Sequence, residues 1–337
     1  ARRRARRGDA RSGWYRVVID PSTPDVRILS DPGVDLVLRL DGPATFRVQS
    51  GFGSPVDVLE LRDIDKPSVA SDEVLVQIRA ASIHIGDVYG IQGLPKAMRL
   101  IFRSMRAGSG VVGTDIAGRV ETVGGDVRHL RPGDEVFGKA DGAFAAYAVA
   151  KEEALASKPD NLTFEQAAAI GVSALAALQA LRDHGNVQAG QKVLIAGASG
   201  GVGTFAVQIA KALGAEVTGV CSTRNIEMVR SIGADHVIDY TQDDYTQEDA
   251  GYDVILDNVG NHSLKDTRRP LSPGGTLLPN GAGAPSGWFG GLGRPLRAAV
   301  VSLSAKQQGR GFVATENKED LAALRELAAT GQISPVI

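Results

Sequence analysis

Residues 192–240 read KVLIAGASGGVGTFAVQIAKALGAEVTGVCSTRNIEMVRSIGADHVIDY, and their pattern runs strand, glycine turn, helix, strand, helix, strand. The run 193–196 is apolar and of strand length, and the glycine-rich 197–203 follows at once, so the chain turns sharply where a buried strand ends. Gly200 and Gly203 fit the second and third glycines of a dinucleotide fingerprint; either Ala198 or Gly197 fits the first small residue. Glycine lets the backbone approach a pyrophosphate, the N–H groups of Gly201 and Val202 point at it, and the positive end of the helix favours its charge. Apolar residues then recur at Val202, Phe205, Ala206, Ile209, Ala212 and Leu213, and Gly214 is placed as a C-terminal stop. A glycine motif alone is a weak signal, but here it lies between a strand and a helix in a repeating β-α pattern.

The next strand, 216–220, ends where a carboxylate would accept the ribose hydroxyls of NAD. The chain has Cys221-Ser222-Thr223-Arg224-Asn225 instead. A carboxylate would repel a 2′-phosphate, whereas the Ser222 and Thr223 hydroxyls and the Arg224 guanidinium can donate to it, the last with charge assistance. The expected cofactor is therefore NADPH. A solvated Arg224 in the first turn of the following helix is the other reading of that residue.

With 337 residues, 43% of them hydrophobic, the chain can bury a large core, and its length suggests two domains. A net charge of -2 offers no electrostatic case for nucleic acid or an anionic membrane. Cys221 is the one cysteine, which excludes an intramolecular disulfide and a multi-cysteine zinc site. No run of about 18 apolar residues is expected to exist that could cross a bilayer. A reducing cytoplasm is the expected compartment.

Residues 1–13 carry six arginines, and the stretch to about 44 has scattered Pro and Asp with poor periodicity, which predicts an unstructured extension; a targeting peptide or a nucleic-acid arm is the other reading of the basic start, against which stands the lack of an apolar h-region. From residue 45 short strands are expected at 46–49, 57–62, 73–80, 117–123 and 135–137, punctuated by Gly, Pro and Asp. Thr163-Phe164-Glu165-Gln166 has the form of a capping box opening a helix; Gly171 and Val172 interrupt it, and Gly185 ends it. Beyond the nucleotide unit, strands are expected at 254–256, 276–278 and 311–314. Their ends line the cofactor crevice of an open α/β sheet, which makes Asn258 and Asn280 polar candidates for the nicotinamide, with plain helix capping as the alternative.

From residue 45 onward the chain resembles the medium-chain dehydrogenase/reductase superfamily, and within it the zinc-independent quinone oxidoreductase branch. The resemblance rests on Val74-Leu75-Val76-Gln77-Ile78 with Ala80-Ala81-Ser82-Ile83, Gly113-Thr114-Asp115, Arg131-Pro132-Gly133-Asp134-Glu135-Val136, Ala198-Ser199-Gly200-Gly201-Val202-Gly203 and Gly233-Ala234-Asp235, in that order. It implies an α/β fold with an N-terminal GroES-like β-rich domain followed by a Rossmann doubly wound parallel sheet. The domain plan is an extension over 1–44, a GroES-like catalytic domain over 45–160, a Rossmann domain over 161–315 and, over 316–337, a helix that begins a return to the first domain. Members of the branch usually continue past residue 337, which predicts a truncated return.

In the zinc alcohol dehydrogenases a Cys and a Gly-His-Glu supply catalytic zinc ligands. Here the matching segments read Ile83-His84-Ile85-Gly86-Asp87 and Gly113-Thr114-Asp115, and His84 with Asp87 falls short of the three protein ligands a catalytic zinc needs. No metal is expected, which turns the reading toward hydride transfer to a quinone or other α,β-unsaturated carbonyl. The resemblance makes His84 a donor to substrate or carboxamide, Asp87 an orienter of a neighbouring group and Tyr89 a binder or proton donor at the developing oxyanion. A buried structural ring for His84 and a wall position for Tyr89 remain open. The candidate cofactor residues are Ser173, Ser199, Gly200, Gly201, Val202, Ser222, Thr223, Arg224, Tyr240, Asn258, Asn280 and Phe312; His129, His184, His236 and His262 receive no role. The segment 93–110 reads equally as a lid and as a packed helix. Two further functional readings stand beside the first: an enoyl-thioester reductase, hinted at by Arg99, Arg103 and Arg106, and a nucleotide-binding homologue with little activity. The branch also implies a homodimer.

Overall fold

The computed structural model describes residues 16–19, 26–29, 36–39, 46–49, 59–62, 64–93, 111–247, 250–280, 308–312 and 314–337. The segment 93–110, with Arg99, Arg103 and Arg106, and most of 282–312 lie outside the described residues beyond Gly93 and 308–312.

The nucleotide half is one parallel sheet. Its strands are β11 (Lys192–Ala196), β12 (Glu216–Cys221), β13 (His236–Asp239), β14 (Tyr252–Asp257), β15 (Leu271–Pro279) and β16 (Gln308–Gly309), in spatial order β13-β12-β11-β14-β15-β16. The order reverses beside β11, which opens a crevice at the C-terminal ends of β11 and β14. Strand β11 reads KVLIA and is buried at four of its five residues, as expected of a strand covered on both faces. Expected strands 254–256 and 276–278 appear as the middle of β14 and the last part of β15, the latter starting early across a register shift between Tyr252 and Val254. The strand expected at 311–314 is displaced. Pairing of β15 with β16 ends at Leu277 and Gly309, after which Phe312 stacks on His184 and Thr315 N–H donates to Gln179 Oε1 at 3.0 Å. The chain thus leaves the sheet to dock on a helix.

That helix is α2 (Phe164–Leu178), continued by a π-helical turn, Gln179–His184. Thr163 and Gln166 form the expected capping box, and Gly171 breaks the helical dihedrals at φ −17, ψ −116. Phe164–His184 is long and apolar enough to cross a bilayer by length and composition, which corrects the expectation that no such run exists. Its apolar residues have another destination: Ile170, Leu175, Leu178 and Leu181 sit in the main core with Phe205, Ile209 and Leu256, each burial worth roughly 1.5–3 kcal/mol. Helix α3 (Gly201–Ala212) packs beside it, followed by α4 (Ile226–Ser231), α5 (Leu264–Thr267) and α6 (Lys318–Ala329). Leu324 and Ala328 of α6 enter the same core, and Gln208 on α3 exchanges two hydrogen bonds with the backbone of Ser334 (3.0 and 2.7 Å), tying down the last residues.

The first half is an antiparallel sheet of β10 (Leu155–Ser157), β8 (Glu135–Lys139), β7 (Asp115–Val123), β6 (Glu73–Ile83) and β3 (Leu36–Arg39), with β9 (Tyr147–Lys151) also on β6. Strand β3 falls inside the segment expected to be an unstructured extension. It pairs with β6 from Leu36↔Ile83 to Arg39↔Ala80, while β1 (Arg16–Ile19) pairs with β2 (Val26–Leu29). A two-stranded pair, β4 (Phe46–Gln49) with β5 (Leu59–Arg62), follows. Helix α1 (Ile85–Gln92) leaves the end of β6.

The halves meet at the break in α2. Asp115, fully buried at the start of β7, accepts from Val172 N–H at 3.0 Å and from Ser82 Oγ at 3.3 Å. The break at Gly171 leaves no room for a side chain: a Cβ there would lie 2.4 Å from the Asp115 carboxyl carbon.

Candidate active site

The glycine turn starts where β11 ends. Gly197 takes a left-handed conformation (φ +74), and its N–H and that of Ala198 both donate to Val220 O, which ties the turn to the end of β12. Ala198 stands two residues before Gly200 and so takes the first fingerprint position, while Gly197 makes the turn. The two later glycines have different reasons. A Cβ on Gly203 would lie 2.0 Å from Gly197 O, so α3 crosses the turn closer than any side chain allows. A Cβ on Gly200 would meet only Gly197 O, at 3.4 Å, with open space beyond. Gly200 is the N-cap of α3 and supplies no side-chain cap, which leaves the N–H groups of Gly201 and Val202 for an outside anion. A dinucleotide's pyrophosphate fits this cradle.

At the end of β12 the three hydroxyl-bearing residues separate. Thr223 Oγ1 donates to Asp239 Oδ2 at 2.6 Å, so its hydrogen faces the protein and not the crevice. The Thr223 hydroxyl, with those of Thr241 and the amide of Gln242, holds the Asp239 carboxyl down to about 2. Ser199 Oγ and Ser222 Oγ instead accept from the same atom, Asn225 Nδ2, at 3.0 and 3.3 Å. Arg224 is exposed beside them. Tyr240, 59% exposed, follows Asp239, and its N–H bonds Cys221 O. Cys221 itself is buried, and burial pushes its thiol up to about 11.

Asn258 and Asn280 end β14 and β15 side by side. Asn280 Nδ2 donates to Asn258 Oδ1 at 2.8 Å, and Asn258 Nδ2 is buried without a protein hydrogen-bond partner. An orphaned amide donor at the mouth of the crevice fits a ligand oxygen. Among the described residues that amide nitrogen has no partner; next to it Val259 is 41% exposed, and Asp257 closes the turn by accepting from the N–H groups of Val259 and Gly260. Ser173 is buried just past the break in α2. Phe312 lies elsewhere, its ring stacked on His184 at 4.9 Å between centroids.

On the first domain, His84 is the N-cap of α1. Its Nδ1 accepts from Gly86 N–H at 3.0 Å, which fixes the ring hydrogen on Nε2, and Nε2 lies 2.8 Å from Thr114 Oγ1. Asp87 Oδ2 accepts from the His84 N–H at 3.0 Å, completing a capping box in which histidine replaces the usual hydroxyl residue. Burial raises the Asp87 carboxyl above its ordinary value, against the pull of His84 and of hydrogen bonds from His84 N–H and Thr114. Both His84 nitrogens thus have protein partners, and the ring caps α1. Among the described residues no three His, Cys, Asp or Glu side chains gather as a metal site. Tyr89 is half-buried, and burial raises its phenol.

Comparisons with known proteins bear on this arrangement. Residues 70–160 match the alcohol dehydrogenase GroES-like domain, and residues 201–289 the zinc-binding dehydrogenase family. The NADPH-dependent alkenal/one oxidoreductase of Arabidopsis thaliana is 31% identical over 308 residues, 86% of this chain and 70% of that one. The chain belongs to the medium-chain dehydrogenase/reductase superfamily. Within it, the chain falls in the quinone oxidoreductase-like branch. The solved quinone oxidoreductase of Coxiella burnetii shares 26% identity with a TM-score of 0.72, covering 86% of this chain and 89% of that one. The spectinabilin polyketide synthase system protein NorB of Streptomyces orinoci is 37% identical over 247 residues, 71% of this chain, and this chain spans 11% of NorB's length.

In this superfamily member the structure gathers Ser199, Gly200, Gly201, Val202, Ser222 and Asn258 with Asn280 around one crevice suited to a nicotinamide cofactor. Thr114 and Asn225 are the residues that single-residue reasoning passed over. Both stand in motifs, Gly113-Thr114-Asp115 and Cys221-Ser222-Thr223-Arg224-Asn225, whose bonding partners depend on the fold.

Proposed function

We propose that the chain is an NADPH-dependent reductase of quinones or other α,β-unsaturated carbonyls, working without a metal. The observation that carries the cofactor reading is the uncapped start of α3 over the open face of Gly200, flanked by Ser222 and Arg224 where an NAD enzyme would keep a carboxylate. When bound, the cofactor supplies the hydride that the electron-poor carbon accepts. The Gly201 and Val202 N–H groups hold the pyrophosphate, and Asn258 Nδ2 orients the nicotinamide end through the donor that Asn280 aims. Tyr89, a half-buried phenol, gives a proton to the developing oxyanion. His84, Asp87 and Thr114 fix the first turn of α1, and with it Tyr89. The likeness to the Arabidopsis alkenal/one oxidoreductase supports an enone or quinone acceptor.

A second reading, reduction of an enoyl thioester, stands beside it, the chain being 37% identical to a stretch of the polyketide synthase system protein NorB. NADPH oxidation followed at 340 nm with 1,4-naphthoquinone, a 2-alkenal and a crotonyl thioester separates the cases. Turnover of the first or second supports the main reading, turnover of the thioester alone supports the other, and NADPH binding without oxidation of any acceptor overturns both. A cytoplasmic homodimer with no nucleic-acid or membrane partner completes the proposal; the net charge of -2 supports the absence of those partners and the single buried cysteine the reducing compartment. Light scattering of the purified chain tests the dimer.

A further inference from the structure

Ser199 belongs to the glycine turn and Ser222 to the end of β12, and one nitrogen joins them: Asn225 Nδ2, at 3.0 and 3.3 Å. An amide nitrogen carries two hydrogens and accepts none, whereas a serine hydroxyl has one hydrogen and two lone pairs. Each serine oxygen acts as acceptor toward Asn225 and so keeps its own hydrogen to donate. Because both oxygens lie within one hydrogen bond of the same atom, their hydrogens can converge on a single acceptor group.

The neighbouring Thr223 shows the opposite polarity. Its hydroxyl donates at 2.6 Å to Asp239, whose two oxygens also accept from Thr241 N–H, Thr241 Oγ1 and Gln242 Nε2. The nearby carboxylate is thus satisfied within the loop after β13. From Ser222 to Asn225 there is no carboxylate, and Arg224 adds an exposed positive charge.

We propose that Asn225 is a positioning residue that aims the Ser199 and Ser222 hydroxyls at one anion, the 2′-phosphate of the adenosine half of the cofactor, and thereby sets preference for the phosphorylated form. This rests on the NADPH reading and adds to it the residue that makes both serines donors. An aspartate at 225 has the same shape but only accepts: it takes both serine hydrogens inward and adds a negative charge.

The test compares two small ligands that differ only in the 2′-phosphate, adenosine 2′,5′-bisphosphate and 5′-AMP, titrated calorimetrically. The wild type binds the bisphosphate more tightly. Asn225→Asp lowers that ratio by at least about tenfold, the worth of one charge-assisted hydrogen bond, while 5′-AMP affinity is retained. Asn225→Ala lowers it by less and keeps the proposal testable if the aspartate variant does not fold. Thr223→Val leaves the ratio in place. A wild type with no preference refutes the NADPH reading itself. A wild-type preference that survives both changes at 225, or equal weakening of both ligands, overturns the role given to Asn225.

Discussion

On the nucleotide side of the cleft, Gly200 leaves α3 uncapped, the buried Asn258 Nδ2 has no partner among the described residues, and Ser199 and Ser222 retain their hydrogens. On the side of the first domain, His84, Thr114 and Asp87 close on one another and on the backbone of α1. The first arrangement is unfinished until a ligand supplies acceptors; the second is finished without one. Buried polar groups left unpaired cost free energy, and a fold retains them where a ligand repays that cost. The contrast supports the proposal that recognition lies on the nucleotide side and that His84 fixes α1 on the other.

The two fingerprint glycines give the largest test of this contrast. Gly203→Ala drives a Cβ to 2.0 Å from Gly197 O and 2.8 Å from Ala198 Cα, both backbone atoms that move only if α3 separates from β11. The expected cost is about 3 kcal/mol, roughly 6–12 °C in Tm by thermal denaturation. Gly200→Ala has an allowed backbone (φ −84) and near-empty surroundings, so Tm holds while NADPH affinity falls by roughly ten- to a hundredfold, worth about 1.4–2.7 kcal/mol. Equal losses of stability from the two would break the distinction between packing and ligand glycines.

His84→Ala removes the cap of α1 and is expected to cost about 1 kcal/mol of stability, a few degrees in Tm, with His84→Asn recovering most of it through its own cap. A large fall in turnover with unchanged Tm in both variants would instead restore a direct chemical role to the ring.

The smallest effect is in pH. The Asp239 carboxyl is lowered from 3.8 to about 2, so it contributes stability above 3.8 that is lost as pH falls toward about 2. Asp87 is raised, so its contribution is present below 3.8 and is lost as pH rises through its folded pKa. Plotting Tm against pH, Asp239→Asn closes its deficit to wild type in acid, and Asp87→Asn gains on wild type as pH rises from about 4. Curves parallel to wild type for both would refute the assignments.

The nucleotide half was legible because its signals are local. The turn at 197–203, the capping box of Thr163 with Gln166 and the break at Gly171 each act within a few residues. Strand β3 was not, since its pairing with β6 spans more than forty residues and its surroundings carry turn-forming Pro and Asp. The site divides in the same way. That Ser222 and Thr223 carry hydroxyls is plain in the sequence, but where their hydrogens point depends on Asn225 and on Asp239, sixteen residues beyond Thr223 and one strand over. That His84 meets Thr114, thirty residues on, could not be read before β6 and β7 pair.

The most direct measurement is a fluorescence titration of the purified chain with NADPH and with NADH. The account predicts NADPH binding at least about tenfold tighter, the worth of one charge-assisted bond to the 2′-phosphate. Equal affinity for the two, or preference for NADH, would contradict it.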